Sequence, residues 1–96
     1  MKFEWDENKN NINIVKHGIG FSEACSTFYD DNALLFDDPD HSEDEDRFLL
    51  IGMSRTTRVL IVSHCYRKDG EVIRIISARK ATKTETDFYL NGGGNL

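Results

Sequence analysis

Proline is almost missing from this chain: Pro39 is its only example, so elsewhere no residue fixes φ or withholds a backbone donor. Cysteine is nearly as scarce. Cys25 and Cys65 share no metal-type spacing and read as reduced thiols of a cytoplasmic protein, with a Cys25–Cys65 disulfide as the alternative. Long apolar runs are absent too, none approaching the ~20 residues that a membrane-spanning helix needs. The opening MKFEWDENKN lacks the apolar centre of a signal peptide. No internal repeat or linker divides the sequence.

What is present fits a small α+β domain. Ninety-six residues suffice for one core. We read residues 1–90 as a single domain and 91–96, which include NGGGN, as a flexible tail. The net charge of −5 hides a strong asymmetry: residues 1–46 carry 3 bases and 13 acids, residues 47–96 carry 9 bases and 4 acids. Seven of the acids fall in DDPDHSEDED, from Asp37 to Asp46, which reads as a solvated loop. The basic half can therefore hold a positive local field within an acidic protein.

Periodicity and punctuation give the order β-α-α-β-β-β-β-α. FEWDE alternates as a short strand. Asp6 caps a helix running to about Lys16, with Ile12, Val15 and Ile19 as its apolar stripe, and Gly18 ends it in the left-handed region. Ser22 is the expected cap of a second helix burying Ala24, Cys25 and Phe28, with Phe21 stapled in front. Strands follow at 33–37, 47–54, 58–67 and 71–77, with turns at Arg55-Thr56-Thr57 and Lys68-Asp69-Gly70. Thr82 caps a last helix ending near Leu90. The second half is thus an antiparallel meander, and RVLIVSHCYR reads as a strand covered on both faces.

The stretch RIISARKAT, from Arg74 to Thr82, carries the most chemistry. A guanidinium inside an isoleucine-rich strand is costly unless paired or aimed at an anion, and guanidinium suits phosphate. Strict alternation puts Val72, Arg74, Ile76 and Ala78 on one face and Ile73, Ile75, Ser77 and Arg79 on the other. Register decides which arginines share a groove, since a slip of one residue exchanges the faces.

Three blocks then point to a family. FEWDENKNNINIVKHGIGFSEA (3–24), HSEDEDRFLLIGMS (41–54) and RVLIVSHCYRKDGEVIRIISARKATKTE (58–85), followed by Tyr89, closely resemble the BrnT family of type II toxin–antitoxin ribonucleases. Gly20, where the family more often has Ser, and the glycine-rich end depart from its pattern. The resemblance implies a RelE-like fold and an endoribonuclease that blocks translation and growth. It also implies a neutralising, DNA-binding antitoxin of the BrnA kind, encoded beside the toxin and repressing their operon, often in a heterotetramer. Operator DNA would be met only through that antitoxin. No cofactor and no metal is expected, because ribonucleases of this fold move protons with side chains and stabilise phosphate charge with cations.

The candidate catalytic residues are Lys16, His17, Arg74, Arg79 and Tyr89, with Arg58, Arg67 and Lys80 as RNA contacts. Each has a plainer alternative. Lys16 and His17 also suit a helix C-terminus, where positive charge offsets the macrodipole. Arg74 and Arg79 could pair with Glu71, Glu85 or an N-terminal acid. Tyr89 could pack a helix, and Arg58 and Arg67 could be ordinary surface charge. Ser77 is expected to make a backbone hydrogen bond rather than act as a nucleophile. His64, inside an apolar strand, reads as a satisfied core histidine. Asp38, Asp40 and His41 are weak metal candidates, and an EF-hand fails because Glu43 and Leu49 stand where its Gly and Glu belong. A non-catalytic RNA- or protein-binding module of the same fold is the competing reading.

Overall fold

The computed structural model describes residues 1–38 and 46–94. Its elements are β1 (Lys2–Glu4), α1 (Glu7–His17), α2 (Phe21–Ser26), β2 (Leu34–Asp37), β3 (Phe48–Met53), β4 (Val59–Arg67), β5 (Val72–Lys80) and α3 (Lys83–Leu90), with a 3-10 turn at Thr27–Tyr29 after α2. The expected order holds. One five-stranded sheet runs β1-β5-β4-β3-β2. The meander from β2 to β5 is antiparallel, as expected. β1 adds a feature that local reasoning cannot supply, because it pairs parallel to β5 and makes the sheet mixed.

The caps stand where the sequence puts them. Asp6 accepts from the Asn8 and Lys9 amides, and Gly18 takes φ 72° while donating to the Ile14 carbonyl at 2.8 Å. Thr82 and Glu85 form a reciprocal capping box on α3. Past α3, Gly92 donates to Tyr89 and Gly93 to Phe88, which is a Schellman ending with Gly92 at φ 66°. So residues 91–94 terminate the helix as a defined turn, while Asn95 and Leu96 lie outside the described residues.

Three expectations are corrected. First, α1 does not bury Ile12 and Val15, which are 64% and 89% exposed. Its inward side chain is Asn13, 5% exposed, and Ile19 reaches the core only after the helix has ended. Second, Ser22 does not cap α2: the helix starts at Phe21 behind Gly20, and the Phe21 amide donates to Asn10 Oδ1 at 2.8 Å. A side chain of the previous helix thus does the capping. Third, β5 runs three residues further than expected, through Arg79 and Lys80, and it is irregular. Ser63 pairs with Ser77 but His64 pairs with Ile75, leaving Ile76 as an extra residue.

That bulge reorganises the faces. Ile73, Ile75 and Ala78 all join Ile19, Phe21, Ala24, Leu60 and Val62 in the core beneath α1 and α2. Arg74 and Arg79 therefore share the opposite face, not opposite faces as strict alternation gives. That second face is covered in part by α3, whose Tyr89 and Phe88 pack with Ile51 and Ile61. β4 is buried from Leu60 to Cys65 between the two layers, as its unbroken apolar run requires.

Candidate ribonuclease site

α1 stops, α2 starts, the β3–β4 turn closes and β5 runs out at one end of the sheet. Asn13 of α1 bonds the Ala78 backbone, and Arg58 Nη2 donates to the Gly18 carbonyl at 3.4 Å. Leu60 pairs with Lys80 and Ile61 with Arg79. Lys16, His17, Arg55, Arg58, Arg79 and Lys80 are consequently all carried to this end. Lys16 and Lys80 are exposed and His17 is half-buried.

Two carboxylates hold this end together. Glu23 is nearly buried and accepts from Ser54 Oγ and Thr56 Oγ1, both at 2.7 Å, and from Arg58 Nε at 3.0 Å and Arg58 Nη2. The Arg58 hydrogen bonds hold its carboxyl down to about 2 against the opposing effect of burial, with Ser54 and Thr56 helping. Glu85 accepts from Arg79 Nη1 at 2.8 Å and Nη2 at 2.9 Å, while also accepting from the Thr82 amide. This bidentate pair, again opposing burial, depresses Glu85 to about 2.

The other candidates stand elsewhere. Arg74 lies near the β1 edge with Nη1 on Glu4 Oε2 at 2.8 Å. Both arginines expected to meet phosphate are thus in carboxylate pairs, as the plainer reading allowed. Neither pair is sealed: the side chains are 30% and 39% exposed for Arg74–Glu4 and 42% and 30% for Arg79–Glu85. Arg67 is exposed at the far end of β4, opposite Val72.

Tyr89 is buried under α3, and its hydroxyl donates to Asp30 Oδ2 at 2.5 Å. Burial and that carboxylate push the phenol up to about 12. Asp30 in turn stays below the usual carboxylate range despite burial, because it accepts from the Met53 amide, Tyr89 and the Asn32 amide. Tyr89 is therefore a tie between α3 and the loop before β2, on the same Asp30 oxygen that holds the Met53 amide at the end of β3. Glu23 and Asp30 were not singled out in the sequence. Glu23 gains its side-chain partners, and Asp30 its Met53 and Tyr89 partners, from segments twenty or more residues away, so no local pattern marks them.

The remaining readings resolve simply. His64 is fully buried against Phe28, Phe48 and Tyr66, with Nδ1 3.2 Å from the Val62 carbonyl; burial lowers its pKa. It is a core histidine, as expected. Cys25 and Cys65 are not joined in a disulfide, and burial raises Cys25 to about 11. Ser77 is exposed. Asp38 is buried, whereas Asp40 and His41 lie outside the described residues. No helix among the described residues is long and apolar enough to cross a membrane.

The chain is thus a small α+β protein with a mixed five-stranded sheet and a basic, carboxylate-braced end. The sequence pattern of the family described as "Ribonuclease toxin, BrnT, of type II toxin-antitoxin system" matches residues 5–85. The fold is similar to the 1.1 Å crystal structure of the Brucella abortus ribonuclease toxin BrnT, with a TM-score of 0.66 and 28% identity over 86% of this chain and 99% of that one. No curated protein matches the chain. The chain belongs to the BrnT family of ribonuclease toxins, and a type II toxin–antitoxin family implies an antitoxin partner.

Proposed function

We propose that this chain is a metal-independent endoribonuclease of the cytoplasm that stops translation and growth until its antitoxin binds. What supports the reading, beside the family, is that Lys16, His17 and Lys80 lie towards the end where β5 leaves the sheet, with Arg79 at the same end on the α3 face. In this scheme His17 takes the proton from a ribose 2′-hydroxyl, and the 2′-oxygen attacks the adjacent phosphorus. The bond to the 5′-oxygen breaks, and Lys16 supplies that leaving oxygen with a proton. Arg79 and Lys80 hold the non-bridging oxygens as charge builds. Arg79 would exchange the Glu85 carboxylate for phosphate; a partly exposed pair of this kind is worth only about 0–1 kcal/mol, so the exchange is cheap. Arg58 braces the site through Glu23, while Arg74 and Arg67 extend the track for the RNA strand. Tyr89 is left out, because its proton is already committed to Asp30.

The test is incubation of purified protein with RNA in EDTA, with 2′,3′-cyclic phosphate ends sought in the products. His17→Ala and Arg79→Ala should each slow cleavage by about 10²-fold or more. Intact RNA in EDTA, or variants as fast as wild type, overturns the scheme. The alternative, a module that binds RNA or antitoxin without cutting, draws support from the carboxylate pairs of Arg74 and Arg79. It predicts salt-sensitive RNA binding with no product. In either case the partner we expect is a BrnA-like, DNA-binding antitoxin, assembled with the toxin as a heterotetramer.

A further inference from the structure

The outward side of α1 is apolar where a free helix should be polar. Asn10 and Asn13 point inward, one capping α2 and the other bonding Ile19 and Ala78. The price of that polar inner side is an outer ridge of Ile12 and Val15, one turn apart and both well exposed. Asn11 and Lys16 complete a shallow groove with them. Lys9, seven residues before Lys16, lies on the same flank of the helix. Glu7 is the only acid of α1, and it is turned aside, accepting from Trp5 Nε1 and Asn10 Nδ2. The face is therefore an apolar ridge with a cationic margin, on a protein whose net charge is −5.

We infer that this face seats the antitoxin, through a segment whose apolar side chains cover Ile12 and Val15 and whose carboxylates meet Lys9 and Lys16. Branched aliphatic side chains offer a nucleic acid neither donors nor a stacking surface, whereas they suit an amphipathic peptide segment. The charge pattern selects an acidic one. The inference rests on the toxin reading for its partner and adds how neutralisation works. Lys16 belongs both to the groove and to the proposed cleavage end, so a carboxylate on it excludes an RNA phosphate.

The experiment titrates purified cognate antitoxin into the full-length toxin by calorimetry. Ile12→Asp and Val15→Asp should each weaken binding by about 100-fold, and Lys9→Glu by several-fold with a flatter salt dependence. Leu35→Asp, on the exposed edge strand β2, is the control and should bind like wild type. RNA cleavage by the α1 variants should be unchanged, and their growth arrest should persist when antitoxin is co-expressed. Should the aspartates lower the melting temperature, Ile12→Ser and Val15→Ser make the same comparison. Undiminished affinity of the α1 variants overturns the inference. So does loss of binding in Leu35→Asp alone, or an effect of the α1 changes confined to self-association in sedimentation. Because binding heat needs no catalysis, a wild-type toxin that cuts no RNA would sink the cleavage scheme while leaving this result readable.

Discussion

Asn13 supplies β5 with a donor and an acceptor where β1 has already ended. β1 reaches only to Glu4, opposite Arg74, so the Ala78 amide and carbonyl face outward with no strand beside them. Asn13 Oδ1 accepts from the Ala78 amide at 3.1 Å, and Nδ2 donates to the Ala78 and Ile19 carbonyls, each at 2.8 Å. Asn13→Leu keeps the branched shape but leaves three buried backbone groups without the Asn13 hydrogen bonds. We expect it to lower stability by about 2–4 kcal/mol in urea unfolding. Glu23 gives a pH signature. Its folded pKa of about 2 lies below the ordinary 4.5, so its contribution is complete above about 4.5 and is lost as pH falls towards 2; Glu85 behaves alike. Melting temperature should therefore hold on acidification to about pH 5 and then drop, and Glu23→Gln should flatten that drop. Neither residue is legible in the sequence. An asparagine on a helix reads as an ordinary solvent-facing side chain until the strand edge that it completes is known.

Among the elements, α3 is tied down at its first turn and at its last. Glu85 serves both the capping box and Arg79, and Tyr89 reaches across to Asp30. Glu85→Ala should cost about 1–2 kcal/mol of stability while leaving RNA affinity equal or higher, because it releases Arg79. A filter-binding assay beside a thermal melt separates the two effects, and weaker RNA binding would remove Arg79 from the proposed site. The element order, Asp6, Gly18 and Thr82 were readable because caps depend on neighbours three or four residues away. The inward side of α1 and the shared face of Arg74 and Arg79 were not. The first is set by tertiary hydrogen bonds that outweigh apolar periodicity, and the second by the extra residue at Ile76. The basic end was only half legible: its residues could be named, but their convergence comes from where α1 crosses the sheet.

At the scale of the whole molecule, acidic and basic halves of the sequence interlock. Glu4, Glu23 and Arg74, Arg58 come from opposite halves and meet as ion pairs. The deepest such interlocking is in the sheet itself, where Lys2–Glu4 lies beside Val72–Arg74. The strand made first is thus seated against the strand made last. A chain truncated after Glu71 lacks β5, and with it the strand that pairs with β1 and the support of Ile19 and Phe21. We expect that fragment to show no cooperative melting and to be digested rapidly by protease. During synthesis the same geometry acts as a timer. No closed scaffold, and no gathered cluster of cations, exists on the nascent polypeptide until residues beyond Lys80 have left the ribosome.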